Sequence, residues 1–281
     1  GGMAHASAFG GGGSPMKHVA DIRTLFLLAL LSGTYVAAWW FPLPVWWIPC
    51  SILAVSACAA KHNHTHCATF RQRWANRYLE LWLTVLTGTS SASIRVSHRV
   101  RHHGGNQSAE DFVRCSLVEG SQPFAAMLRY VPAVVAESWR RGNGDLRHRR
   151  RLPLWRDCRL ERWFLWGFIL VFLWSDASGF LRVFVVPWIA SQWFLIAMNL
   201  PQHDGCEASS RWGHSRNVTT RFANWLFLNN GFHTAHHESP GLHWSLLPAF
   251  HRERVAPNLP PAQDCGSLSN FWLTWWRERS A

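Results

Sequence analysis

No Cys-x-x-Cys pair occurs in these 281 residues, and the seven cysteines are an odd number at irregular spacing. That excludes a disulfide-stapled secreted domain and a zinc ribbon, leaving reduced thiols as the default state. Glycine-rich dinucleotide fingerprints are absent too. Tyrosine is scarce, three residues against 19 Trp and 17 Phe. Charge itself is missing over long stretches: from Thr24 to Ala60, 37 consecutive residues carry none. About 20 apolar residues cross a bilayer, so this run is too long for a signal peptide or one crossing and fits two. Two buried core hairpins of a soluble protein are the weaker alternative, because core helices seldom stay uncharged for that length.

Pro42 and Pro44 interrupt the run within Trp39-Trp40-Phe41-Pro42-Leu43-Pro44-Val45-Trp46-Trp47. Prolines break a helix and tryptophans favour a membrane-water interface, so this is the tip of a hairpin. A second pair follows. Trp163–Ser175 is uncharged, Asp176 and Arg182 bracket a short turn, and Val183–Leu200 is uncharged again. The expectation is an all-α integral membrane protein with crossings at about 24–41, 44–61, 163–180 and 182–200. These form two hairpins in a single domain over 16–281, beneath a helical cap made of 61–162 and 201–281. Residues 1–15 are Gly-, Ala- and Ser-rich, precede Met16-Lys17, and read as an expression tag outside the fold.

The formal charge of +12 coexists with a mean hydropathy of −0.07 because apolar and basic segments average out. Between Lys61 and Arg162 stand 18 Lys plus Arg and 8 Asp plus Glu, whereas the two hairpin tips together carry one Arg and one Asp. The positive-inside tendency then places the cap and both termini in the cytoplasm. The basic excess reads as topology, and a nucleic-acid partner is excluded. Amphipathic segments Tyr78–Leu86 and Phe124–Trp139 are expected in the interface, with Trp272, Trp275 and Trp276 anchoring the C-terminal segment there.

Four short segments on that cytoplasmic side are rich in histidine: Lys61-His62-Asn63-His64-Thr65-His66, Ser97-His98-Arg99-Val100-Arg101-His102-His103, Asn199-Leu200-Pro201-Gln202-His203, and Gly231-Phe232-His233-Thr234-Ala235-His236-His237. Helix residues four apart share a face, so His62/His66, His98/His102, Asn199/His203 and His233/His237 are each positioned to reach one metal. Adjacent His102-His103 and His236-His237 point about 100° apart and suit one ligand to each of two neighbouring ions. His64 falls about 200° from His62 and packs or solvates. Nine imidazoles exceed one tetrahedral zinc centre and suit a redox metal such as iron. The remaining His5, His18, His148, His214, His243 and His251 lack the spacing and read as tag, surface or supporting groups.

These boxes, with Asn229-Asn230-Gly231-Phe232-His233-Thr234-Ala235-His236-His237-Glu238-Ser239-Pro240-Gly241 and Trp244-Ser245-Leu246-Leu247-Pro248, resemble the membrane fatty acid desaturase family. That family's pattern is H-x(3 or 4)-H, H-x(2 or 3)-H-H and (H or Q)-x(2 or 3)-H-H, and the resemblance runs from Met16 over nearly the whole chain. The Asn199–His203 spacing is similar to the extra Asn-x-x-x-His of its stearoyl-CoA desaturase branch. The second box has three residues before its His pair where that branch has two, so acyl-lipid branches fit equally well. Pro201 removes a helical hydrogen bond beside His203 and puts the four-residue geometry there in question.

The resemblance implies two non-haem irons held by His62, His66, His98, His102, His103, His203, His233, His236 and His237, with Asn199 a weaker or indirect ligand. It implies O2 as co-substrate and stepwise hydrogen removal from adjacent methylenes of a fatty acyl chain carried on lipid, coenzyme A or acyl carrier protein. No His-Pro-Gly-Gly motif of a fused cytochrome b5 is present, so electrons are expected from a ferredoxin- or cytochrome-type donor. Asp204 and Glu238, each directly after a ligand histidine, are expected to support the metal shell. Arg149, Arg150 and Arg151, within a stretch of nine arginines from Arg140 to Arg162, are expected to hold an anionic head group. Hydroxylation on the same scaffold is the alternative outcome. A membrane zinc hydrolase, activating water without electrons, and a non-catalytic metal-binding protein are the rivals from other classes.

Overall fold

The computed structural model describes residues 15–147 and 152–281, and the regular elements among them are helices. α1 (Asp21–Trp40) begins where the charges end and stops at Phe41. A one-turn 3-10 segment, Pro44–Trp46, leads into α2 (Trp47–His66). The Trp46 indole donates to the Phe41 carbonyl at 2.7 Å and closes the turn that the prolines open. α3 (Arg73–Thr87) ends at Gly88, whose φ of +68° and whose contact with the Trp188 ring, 2.5 Å from where a Cβ would stand, admit only glycine. α4 (Ser91–Ile94) passes directly into a π-helical stretch, Arg95–His102.

α5 (Pro123–Arg147), α6 (Leu152–Phe180) and α7 (Val186–His203) are the long helices of the second half. Short helices α8 (Arg221–Leu226), α9 (His233–Glu238) and α10 (Leu247–Phe250) precede α11 (Leu268–Ser280). α6 contains a non-helical residue, Asp176, and ring contacts show what happens there. Phe172 lies 5.1 Å from Phe184, and Phe168 lies 6.3 Å from Trp188. Twenty residues of straight helix would span about 30 Å, so the chain folds back near Asp176.

By length and composition, three segments are able to cross a membrane: Asp21–Trp40, Pro44–His66 and Leu152–His203, the last containing this reversal. α6 starts eleven residues before the expected Trp163, because helical hydrogen bonding continues through Arg156, Arg159 and Arg162 beyond the apolar run. α7 likewise continues through Pro201 to His203.

α2 is the central helix, packed against α1, α3 and α7. Its buried face is small, Cys50, Ala54, Ala57 and Ala60, which lets Leu27, Leu28 and Leu31 of α1 approach closely. Large apolar side chains point outward instead: Phe26, Leu170, Val171 and Trp174, the last 94% exposed. In water such a surface would be an aggregation liability, and it suits a lipid solvent. α3 exposes Trp74 and Tyr78, and α5 exposes Phe124, Leu128, Val135 and Trp139. Trp275 is not an interfacial anchor. It is fully buried and donates its Nε1–H to Asp204 Oδ2 at 2.8 Å, docking α11 on the end of α7; Trp276 remains exposed.

A buried carboxylate joins α6 to the histidine-bearing half. Glu161 accepts from Arg77 Nη1 at 2.5 Å, Ser90 Oγ at 2.7 Å and the Ala92 amide at 2.9 Å. Beside it Glu80 accepts from Arg77 at 2.8 Å and pairs with Arg95. Together they fix the start of the π-helical stretch. Glu161→Ala removes the acceptor of the Ala92 amide and one of the two carboxylates that hold Arg77, and is expected to cost about 3 kcal/mol. The lowered Tm of the detergent-solubilised variant checks this, and Glu161→Gln, which keeps an acceptor oxygen, should lose less.

Candidate metal centre

Two of the four histidine segments sit where an apolar helix, α2 or α7, gives way to polar chain. His62 and His66 occupy the last turn of α2, one turn apart, with ring centroids 5.3 Å from one another. The second box is wound more widely than an α-helix: the His103 amide donates to the His98 carbonyl at 2.9 Å, an i to i−5 bond. The expected His98/His102 face is therefore corrected to His98/His103, because the π turn adds a residue between groups that share a side.

His203 ends α7. Arg216, 2% exposed, donates Nη1 to the carbonyls of Pro201 at 2.7 Å and Asp204 at 2.6 Å, satisfying the helix end around Pro201. The third box is α9, positioned by Asn217, whose Oδ1 accepts from the Thr234 amide at 3.0 Å. Gly231 before it passes so close to the Val218 carbonyl, 2.2 Å from where a Cβ would stand, that no larger residue fits.

The nine imidazoles assemble into two groups. His62, His66, His98, His103 and His236 form one; His102, His203, His233 and His237 form the other; within each, one nitrogen per residue lies within 4.8 Å of all the rest. The adjacent pairs divide as expected, one member to each group. Nε2 atoms approach closely: His62 to His98 at 2.6 Å, His103 to His236 at 2.9 Å, His203 to His233 at 2.9 Å and His102 to His237 at 3.1 Å. The groups adjoin, with the His103 and His237 rings stacked at 4.4 Å.

The arrangement passes a donor-set test for metal. A metal–imidazole bond of about 2.1 Å puts neighbouring ligand nitrogens about 3 Å apart in an octahedral shell, the spacing seen here. His66 Nε2 is buried with no hydrogen-bond partner among the described residues, which a coordinate bond would remedy. Neither group contains a carboxylate or thiolate, so the donors are nitrogen alone and suit transition metals over calcium or magnesium. Burial first, and neighbouring imidazoles second, hold His98, His103, His233, His236 and His237 below the usual 6.5. Their lone pairs are thus free at neutral pH.

The supporting contacts differ from those expected. Asp204 faces away from the centre, accepting from Trp275 and pairing with Arg279. Glu238 pairs with Arg211, at 2.5 Å. Asp111 has the supporting place instead: its Oδ2 meets His102 Nδ1 at 2.9 Å with both side chains fully buried, and its Oδ1 accepts from the Val113 amide at 2.9 Å. His203 Nδ1 donates to the His214 carbonyl at 3.0 Å, and His62 Nδ1 lies 3.2 Å from Asn63 Oδ1. The His214 ring stands 5.3 Å from His237.

Asn199 lies outside both groups, donating Nδ2 to the Val113 carbonyl at 2.8 Å and to Tyr130 Oη at 2.7 Å. His64 turns to Thr69, at 3.0 Å. His18 stacks on His243, which pairs with Asp21, and His251 packs on Phe232. Arg149, Arg150, Arg151 and His148, like the Gly-rich leader with His5, lie outside the described residues.

An apolar cavity of about 170 Å³ runs between α2 and α7 and reaches the site. Val55, Cys58, Leu195 and Phe227 are among its walls, and His62, His98 and His233 also face it, so both groups border the same space.

Helices of membrane-crossing length that carry two adjoining all-histidine groups define a class, a membrane protein built around candidate metal sites. The family model described as Fatty acid desaturase matches residues 37–264, and the chain belongs to that family. A search of curated proteins gave no match.

Two outcomes follow. Asp111→Asn should weaken metal retention in the His102 group about 10- to 100-fold, the usual cost of losing an outer partner, whereas His64→Ala should retain it; elemental analysis after graded chelation separates them. In metal-free protein above pH 6.5, His98, His103, His233, His236 and His237 are neutral in both folded and unfolded states. Below it the unfolded chain takes up protons that the folded chain resists, so Tm should fall as pH drops from 7 to 5. A Tm unchanged over that window would contradict the burial.

Proposed function

We propose that the chain is an O2-dependent oxidoreductase that desaturates a fatty acyl chain at a non-haem di-iron centre held by its nine histidines. The observation that carries this reading is the apolar cavity bordered by His62 and His98 of one group and His233 of the other. When bound, iron supplies the oxidising power that no side chain has, using O2 and two external electrons. The protein's own part is placement and exclusion. Val55, Leu195 and Phe227 present hydrocarbon to hydrocarbon and keep water from the reacting methylenes. Asp111 fixes the orientation of His102, and the His214 carbonyl fixes His203, so the imidazoles hold their geometry while the chain enters.

The topology that goes with this reading has four crossings in two hairpins, with the Pro42 and Asp176 turns on one side and both termini and every histidine box on the cytoplasmic side. Arg149, Arg150 and Arg151 would hold the acyl head, on lipid, coenzyme A or acyl carrier protein. A ferredoxin- or cytochrome-type protein would bring electrons.

The test is turnover of an acyl substrate by iron-loaded protein with O2 and a reductant. The expected product is two mass units lighter at one fixed position of the chain, and no product should form without O2. A product sixteen units heavier, carrying label from 18O2, would establish hydroxylation on the same scaffold. Conversion without O2 or reductant would remove the oxidative reading.

A further inference from the structure

A second cavity, on the far side of α8 from the first, carries cations that the reaction does not use. It is a groove of about 500 Å³ whose walls include Arg23 at the start of α1, Arg221 and Trp225 on α8, and Asn229 and Phe232 just before the third histidine box. The amides of this wall are engaged within the protein: Asn224 with the Val218 carbonyl at 2.7 Å, Asn229 with the Trp244 carbonyl at 3.1 Å. The guanidiniums are not. Arg23 lies over the Trp244 ring at 4.4 Å, and its Nε and Nη2 have no hydrogen-bond partner among the described residues. Neither Arg23 nor Arg221 has a carboxylate partner among the described residues, and no Asp or Glu lines the groove.

Two uncompensated guanidiniums converging on one groove are an anion site, since Arg matches phosphate oxygens with paired N–H donors. The surroundings say which anion. Arg23 directly precedes the uncharged run of α1, the depth at which head groups meet a membrane helix. Phe222 and Trp225 stand exposed at the same groove, Phe222 to 79%, as aromatic side chains do at the membrane-water boundary.

We propose that this groove binds the phosphodiester head group of an anionic phospholipid, bridging Arg23 of α1 to Arg221 of α8. The bound lipid braces the Asn229–Phe232 segment that delivers His233. This site rests on α1 entering a bilayer but not on the reaction proposed above, and its test reads binding and stability, not turnover.

The experiment uses the full chain in detergent, titrated with phosphatidylglycerol, phosphatidylcholine or inorganic phosphate, with native mass spectrometry and Tm as readouts. Phosphatidylglycerol should give a retained 1:1 adduct and raise Tm, whereas phosphatidylcholine and phosphate should not. Arg221→Gln, an exposed position that leaves the core untouched, should weaken that binding about tenfold, the loss of one charge-assisted contact, and Arg221→Lys should recover part of it. Arg23→Gln should act in the same direction. An unchanged adduct and Tm rise in Arg221→Gln, equal effects of phosphatidylcholine, or an equal rise with phosphate alone would each overturn the assignment to an anionic lipid.

Discussion

The constraint on which the rest depends is that nine imidazoles from four segments must be brought into two adjoining groups. Burial makes an imidazolium costly, and each neighbour that protonated would raise the cost for the others. Five of the nine are accordingly held below their usual titration range. A metal ion at the point where the lone pairs meet would stabilise such a cluster. The scaffold's task is to deliver nitrogens from four distant segments to that point, and membrane helices do this efficiently. The imidazoles of these helices stand where the apolar runs stop, so the ends of α2 and α7 present His62, His66 and His203.

A regular helix would not complete the set. The second box must send His98 and His103 to one group and His102 to the other, and α-helical spacing pairs His98 with His102 instead. The π-helical hydrogen bond from His103 to His98 changes the pairing without breaking the chain's hydrogen bonding. Its entry is held by Glu80 and Glu161, which pair with Arg95 and with the Ala92 amide. A wide turn is less well packed than an α-turn, and these buried carboxylates lie where it begins.

Much of this was legible in the sequence because it depends on local rules. The proline-tryptophan turn at Phe41–Pro44, the division of His102 from His103 and of His236 from His237, and the exclusion of His64 all follow from helix geometry and apolar runs. The supporting contacts were not legible, because partner choice is settled by segments far apart in the chain. Asp204 and Glu238 each follow a histidine of the two groups, yet the next residue along a helix end points about 100° away. Asp204 therefore meets Arg279 and Trp275, and Glu238 meets Arg211. Asp111 carries no motif; only the Val113 amide two residues on, a local Asx contact, marks it as a held carboxylate. Arg216 was hidden among 28 basic residues, although it is almost fully enclosed.

The cavity's polar residues bear on what selects the substrate. Gln192 faces the cavity, but its Nε2 donates to the Thr87 carbonyl and to Thr89 Oγ1, both at 3.0 Å. Asn199 is held by Val113 and Tyr130. Lys61, 3% exposed, directs its ammonium to the carbonyl of Thr89 and, at 3.0 Å, to its hydroxyl. These three donors hold the turn after α3 and the start of the Val113 segment, so they are not directed at a guest along the cavity, which leaves Gln202 as a wall amide whose bonds within the protein are made by its backbone carbonyl. A guest with polar groups along its length would lose water there for few equivalent partners, whereas a bare hydrocarbon needs none. Under the reading proposed above, a guest in this cavity would be selected mainly by shape and length.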